Sequence, residues 1–181
     1  MDIADLLTRV ADGDRDAFAQ VVETYQRPLF GFLGRLGMSR AVAAEIAQET
    51  FLRAWRHLGQ YQIGRAQFST WLFSIARNLA LNEITRASNR AEATTEDAGA
   101  REVCTSREPL DQLVQEQTNT LLRNALLRLP LLERTTLALA YVRELPLAEI
   151  AVLEDTTVGA VKTRLHRAKA RLREWLEIND E

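Results

Sequence analysis

The chain has 181 residues, 46% hydrophobic and 27% charged, with a net charge of −2. This is enough apolar material for one core or two small ones, and the charge balance excludes a molecule that binds polyanions over its whole surface, so any nucleic-acid affinity must come from local patches. A single cysteine, Cys104, excludes an internal disulfide, no run reaches the ~18 apolar residues of a membrane span, and the start MDIADLLTRVADGDRDAF lacks the basic and apolar regions of a signal peptide, so a reducing, cytoplasmic setting is expected.

Helical spacing of apolar residues dominates, period-2 alternation is scarce, and none of the four prolines interrupts a helical pattern. An all-α protein is therefore predicted. Helices are expected over 2–11, 15–36, 40–58, 69–87, 111–128, 131–143, 147–153 and 157–177. Asp14 and Ser39 stand where N-caps belong, and Gly13, Gly37 and Gly59 where glycine closes a helix.

In the third helix, AAEIAQETFLRAWRHL, the residues Ala47, Phe51, Ala54/Trp55 and Leu58 form an inward face. Glu45, Gln48, Glu49 and Arg53 lie together on other faces. The loop GQYQIGRAQFST follows, with Tyr61 and Phe68 near its ends, and then WLFSIARNLALNEITR. There Leu72, Ile75, Ala76 and Leu79 are expected to face the core, while Ser74, Asn78, Asn82 and Arg86 repeat every fourth residue as a polar stripe. Amides beside aromatic rings suit unpaired bases, which stack on the rings and offer free edges to the amides. The alternative is that Trp71 and Phe68 are core and the asparagines solvated, and taken alone Trp71 reads better as core, since buried aromatics are common.

From Ser88 to Pro109 large apolar residues are few, and such a segment cannot bury enough surface to fold alone. Residues 88–110 are read as a flexible linker. Ala91–Thr120 holds seven carboxylates against two arginines, a net −5. That acidity serves either solubility or the mimicry or avoidance of nucleic acid.

LPLAEIAVLEDTTVGAVKTRLHRA reads as helix, short turn, helix. Leu147, Ile150 and Ala151 mark one buried face, and Val158, Val161, Leu165, Ala168 and Leu172 another. Lys162, Thr163, His166, Arg167 and Arg173 fall opposite. Thr156 or Thr157 can cap the last helix, and Gly159 allows close backbone approach. Between Thr157 and Arg173 there are six cations and no carboxylate. A basic helix behind a short helix and a tight turn has the design of a helix-turn-helix, whose second helix enters a major groove.

Together, EIAQETFLRAW, FSTWLFSIARNLALNEI, LPLLERTTLALAYVRELPLAEIA and TVGAVKTRLHRAKARL closely resemble the extracytoplasmic-function sigma factors of bacteria, group 4 of the sigma-70 superfamily. The resemblance implies two small helical bundles: region 2 over residues 1–87 and a region 4 helix-turn-helix domain over 111–181. It implies that Glu45, Gln48, Glu49, Phe51 and Arg53 dock on the β′ clamp helices of core RNA polymerase. Tyr61, Phe68, Trp71, Asn78, Asn82 and Arg86 match the minus-ten surface. Thr157, Lys162, Thr163, His166 and Arg167 match the helix that reads the minus-thirty-five element. The β flap and an anti-sigma factor, commonly membrane-anchored, are the other implied partners, in a stress or metal response. The family's turn is close to Leu-Gly-Ile-Ser; here it is Glu154-Asp155-Thr156-Thr157, with Asp155 where glycine supplies a left-handed residue.

A helix-turn-helix repressor or activator is the rival reading, although a duplex-only binder has no use for the Asn78/Asn82 stripe. His57 and His166 are far apart and Cys104 falls in the linker, so no zinc spacing, phosphate loop or nucleophile–base pair is present. No enzyme activity, metal or cofactor is expected. His57 is read as capping a helix end, and Cys104 as a bystander thiol.

Overall fold

The computed structural model describes residues 3–61, 67–93 and 112–177. The expected linker core with Cys104 and the loop residues Gln62, Ile63 and Gly64 lie outside them. The described elements are α1 (Ile3–Ala11), α2 (Arg15–Arg35), α3 (Arg40–His57), a 3-10 turn (Leu58–Gln60), α4 (Phe68–Ala93), α5 (Gln112–Arg128), α6 (Leu131–Tyr141), α7 (Leu147–Leu153) and α8 (Val158–Glu177). The all-α expectation holds. No helix among the described residues is long and apolar enough to cross a membrane.

Two compact units result. One contains α1, α2 up to Gly31, α3 from Ala41 and α4; the other contains Phe32–Arg40 and α5 to α8. In the first, Leu6, Leu7, Val10, Ala17, Val21, Leu29, Ala43, Ala47, Phe51, Ala54, Leu72, Phe73, Ala76 and Ala80 are buried. The helix α2 continues through Pro28. In the second, α8 packs on α5, α6 and α7. Leu126, Leu129 and Ala168 form one cluster with Leu137, Leu172 and Trp175 against it.

The helix ends follow local chemistry. Asp14 caps α2, its Oδ1 accepting from the N–H groups of Asp16 (2.9 Å) and Ala17 (3.0 Å). Gly13 and Gly37 have φ of +94° and +84°. At each, the next N–H reaches back five residues, Asp14 to the Arg9 carbonyl and Met38 to Leu33, which closes the helix in a Schellman turn. Gly59 differs from expectation: it lies inside the 3-10 turn and has no positive φ.

Two further differences concern α4. It runs to Ala93, six residues past the predicted end, because Arg, Ala and Glu are good helix formers even in a polar stretch. Arg90 also pairs with Glu83 at 2.8 Å. Its buried stripe is Leu72, Phe73, Ala76 and Ala80, while Ile75 and Leu79 are only half-buried.

Candidate polymerase and nucleic-acid interfaces

The helix α3 has two faces at helical spacing. Ala43, Ile46, Ala47, Thr50, Phe51 and Ala54 are buried, as is Leu58 in the 3-10 turn that follows. Glu45, Gln48 and Arg53 are exposed and Glu49 half-buried. Arg53 Nε donates to Glu49 Oε1 at 2.6 Å, which stiffens this surface along one helical turn. Phe51 is only 8% exposed, so its ring belongs to the core and not to the outer face expected of a docking residue. The large apolar side chain on the outer face is Leu52, which is 40% exposed and lies four residues from Gln48 and three from Glu49. Sequence reading passed over Leu52 because a single leucine in an amphipathic helix carries no sign of its direction.

Beside α3 lies an aromatic cluster. Tyr61 contacts Phe68 edge to face (5.5 Å between centroids) and Trp71 (5.4 Å). Phe68 also contacts Trp71 at 5.6 Å and Tyr25 at 5.5 Å. Phe68 is 3% exposed, so it has no face open to a base; it backs the half-buried rings of Tyr61 and Trp71. Burial raises the Tyr61 pKa above its usual value, which keeps the phenol neutral. Tyr25, about 36 residues upstream, could not be linked to this group by local spacing. Asn78, Asn82 and Arg86 are exposed along α4, as the periodicity predicts. Ser74 leaves the stripe, since it is half-buried and donates its hydroxyl to the Trp71 carbonyl at 2.6 Å.

In the second unit, α7 and α8 form the predicted helix-turn-helix. Asp155 has φ +48°, the left-handed conformation expected of it. Thr156 N–H reaches the Ala151 carbonyl (2.9 Å) and Asp155 N–H that of Val152 (3.3 Å), a Schellman closure made without glycine. Thr157 then caps α8, its Oγ1 accepting from Ala160 N–H at 3.1 Å. Val161, Leu165 and Ala168 face inward, and Lys162, Thr163, His166 and Arg167 outward. Val158 departs from prediction at 39% exposed.

The charge of α8 is less available than its sequence suggests. Arg164 Nη1 meets Glu154 Oε2 at 2.6 Å, and Arg171 meets Glu133 at 3.4 Å. Lys169 Nζ lies 4.8 Å from the ring centre of Tyr141, a cation–π arrangement. Lys162, Arg167 and Arg173 are exposed. The usable positive surface is therefore narrower and lies mostly in the N-terminal half of α8.

The chain matches the family models for Sigma-70 region 2 over residues 21–90 and Sigma-70 region 4 over residues 119–172. It is 33% identical over 177 residues to the ECF RNA polymerase sigma factor SigW of Bacillus subtilis (strain 168), covering 94% of each chain. It is 30% identical over 171 residues to the ECF RNA polymerase sigma-E factor of Escherichia coli (strain K12), covering 91% of this chain and 88% of that one. Its fold is similar to that of CnrH in complex with the cytosolic domain of CnrY, with a TM-score of 0.72, 22% identity and 96% of both chains covered. It is also similar to the sigma factor RpoE in complex with the anti-sigma factor NepR from Bartonella quintana, with a TM-score of 0.71, 21% identity, and 89% of this chain and 97% of that one covered. The two helical units, the helix-turn-helix and these full-length likenesses agree: this chain belongs to the extracytoplasmic-function RNA polymerase sigma factors of the sigma-70 superfamily.

Proposed function

We propose that three surfaces divide the work of an alternative sigma factor. The outer face of α3 (Glu45, Gln48, Glu49, Leu52, Arg53) docks on core RNA polymerase at the β′ clamp helices. Tyr61 and Trp71, backed by Phe68, hold unpaired bases of the minus-ten element, with Asn78, Asn82 and Arg86 along the strand. Thr157, Lys162, Thr163, His166 and Arg167 read the minus-thirty-five duplex. Residues 1–87 then act as region 2 and 111–181 as region 4, with the β flap as region 4's partner on the polymerase. The protein breaks no bond; the polymerase does the chemistry. Stacking on protein rings, about 1–3 kcal/mol per base, offsets an unstacking cost of a few kcal/mol.

One observation carries this reading: Lys162, Thr163, His166 and Arg167 are exposed on α8 directly opposite buried Val161, Leu165 and Ala168. A capped helix with polar readers on its outer side is ready for a groove. The test is run-off transcription by core polymerase with and without the chain. Specific initiation only in its presence is expected, whereas repression of an otherwise competent holoenzyme would refute the reading.

A cytoplasmic protein held by an anti-sigma factor completes the proposal, supported by the fold shared with CnrH and RpoE, both of known structure in complex with another protein. Anchoring of that partner at the inner membrane, and a stress or metal signal, extend it. Membrane fractionation of cells expressing a tagged copy, before and after stress, tests the sequestration.

A further inference from the structure

The turn before α8 contains a buried charge that no surface role uses. The Glu154 side chain is completely buried. Its carboxylate joins three elements. Thr136 Oγ1, on α6, lies 2.9 and 2.8 Å from the two oxygens, and Thr135 Oγ1 3.4 Å from one. Arg164, on α8, donates to Oε2 at 2.6 Å. The two hydroxyls also lie within reach of the Leu132 carbonyl, at 2.7 and 3.0 Å, so each divides one proton between a neutral and a charged acceptor. The ionised acceptor makes the stronger bond.

An apolar side chain would fill this position without the cost of desolvating a carboxylate. It would hold α8 against α6 by shape alone, with no directional bond between them. The bonds to Glu154 do have direction. Arg164 is two residues beyond Lys162, one beyond Thr163 and three before Arg167, so the clasp grips α8 at the height of the exposed readers. It also keeps Arg164 away from phosphate.

We propose that Glu154 is a positioning residue for upstream promoter readout: through Thr136 and Arg164 it sets the rotation of α8, and with it the aim of Thr163, His166 and Arg167. The inference rests on the reading of α8 as the upstream reader. Base contacts need both distance and angle, so a small rotation costs discrimination before it costs non-specific affinity.

The test uses holoenzyme assembled from core polymerase and the full chain. The probe is a promoter library randomised over the upstream element above one constant downstream element. The measured quantity is initiation on the sequence that the wild type enriches, divided by initiation on a scrambled one. Thr136→Val, which preserves shape, and Glu154→Leu should each lower this ratio about tenfold and shift the enriched sequence, while Thr136→Ser restores it. If Glu154→Leu does not fold, Thr136→Val and Glu154→Gln decide. An equal fall on both templates, with the ratio unchanged, would show a merely structural clasp and overturn the proposal. If Arg167→Ala lowers the ratio and the clasp variants do not, α8 still reads the duplex but Glu154 does not aim it. If Arg167→Ala and Lys162→Ala both leave the ratio unchanged, the upstream reading itself fails.

Discussion

Replacing Arg164 by Met is expected to destabilise the second unit more than replacing Arg164 and Glu154 together. The single change leaves a carboxylate with no exposed surface and without its guanidinium partner. Stranding one partner of a buried pair costs about 3–5 kcal/mol. Two features lower this figure: the Thr135 and Thr136 hydroxyls still face the carboxylate, and the Arg164 side chain is itself 25% exposed. About 2–3 kcal/mol is the resulting estimate. For a unit of this size that lowers the melting temperature by about 10–20 °C. In Glu154→Leu/Arg164→Met no charge is stranded, and both hydroxyls keep the Leu132 carbonyl as acceptor. The double variant should lie within about 1 kcal/mol of wild type. Thermal and urea melts of the four proteins, followed by circular dichroism, complete the cycle. A double variant less stable than Arg164→Met would refute the reasoning, because the clasp would then be stabilising through packing and not through the pairing of a buried charge.

Glu144 and Asp155 both have left-handed backbone, with φ of +52° and +48°. Glu144→Gly should therefore raise stability by about 0.5–1 kcal/mol in a urea melt, and Asp155→Gly by less, since aspartate tolerates this conformation better. Leu52→Glu should abolish co-elution with core polymerase without changing the melting temperature, whereas Phe51→Asp should unfold the first unit; normal polymerase binding by Leu52→Glu would remove that face from the interface. Asp14 is held below its usual pKa of 3.8, first by the Ala17 N–H and then by the Arg9 guanidinium at 2.7 Å. A depressed carboxylate contributes stability above its unfolded pKa and loses it as pH falls through the folded one. Asp14→Asn should thus melt lower than wild type at neutral pH, with the gap narrowing below pH 3.8; a gap independent of pH would show that the ionised form plays no part.

The sequence by itself determined what depends on neighbours along the chain. Apolar residues at helical spacing marked the eight α-helices of the described residues, and Asp14, Gly13, Gly37, Asp155 and Thr157 marked ends of them, because caps and turns are satisfied within a few residues. The outward placement of Lys162, Thr163, His166 and Arg167 came from the same periodicity. Tertiary structure decided the rest. The helix α4 has apolar residues on several sides, so only packing could select Phe73 over Ile75 for the core. Phe68 is buried behind Tyr61 and Trp71, which stay half-buried, and Leu52 took the outer position on α3, whereas the inward direction of Phe51 was already legible in the periodicity. The basic helix lost Arg164 and Arg171 to carboxylates on the turn and on α6, ten and 38 residues away in the chain. A pairing over that separation leaves no periodic trace, because it depends on which helices meet and at what height, and only the folded packing of α6, α7 and α8 sets those.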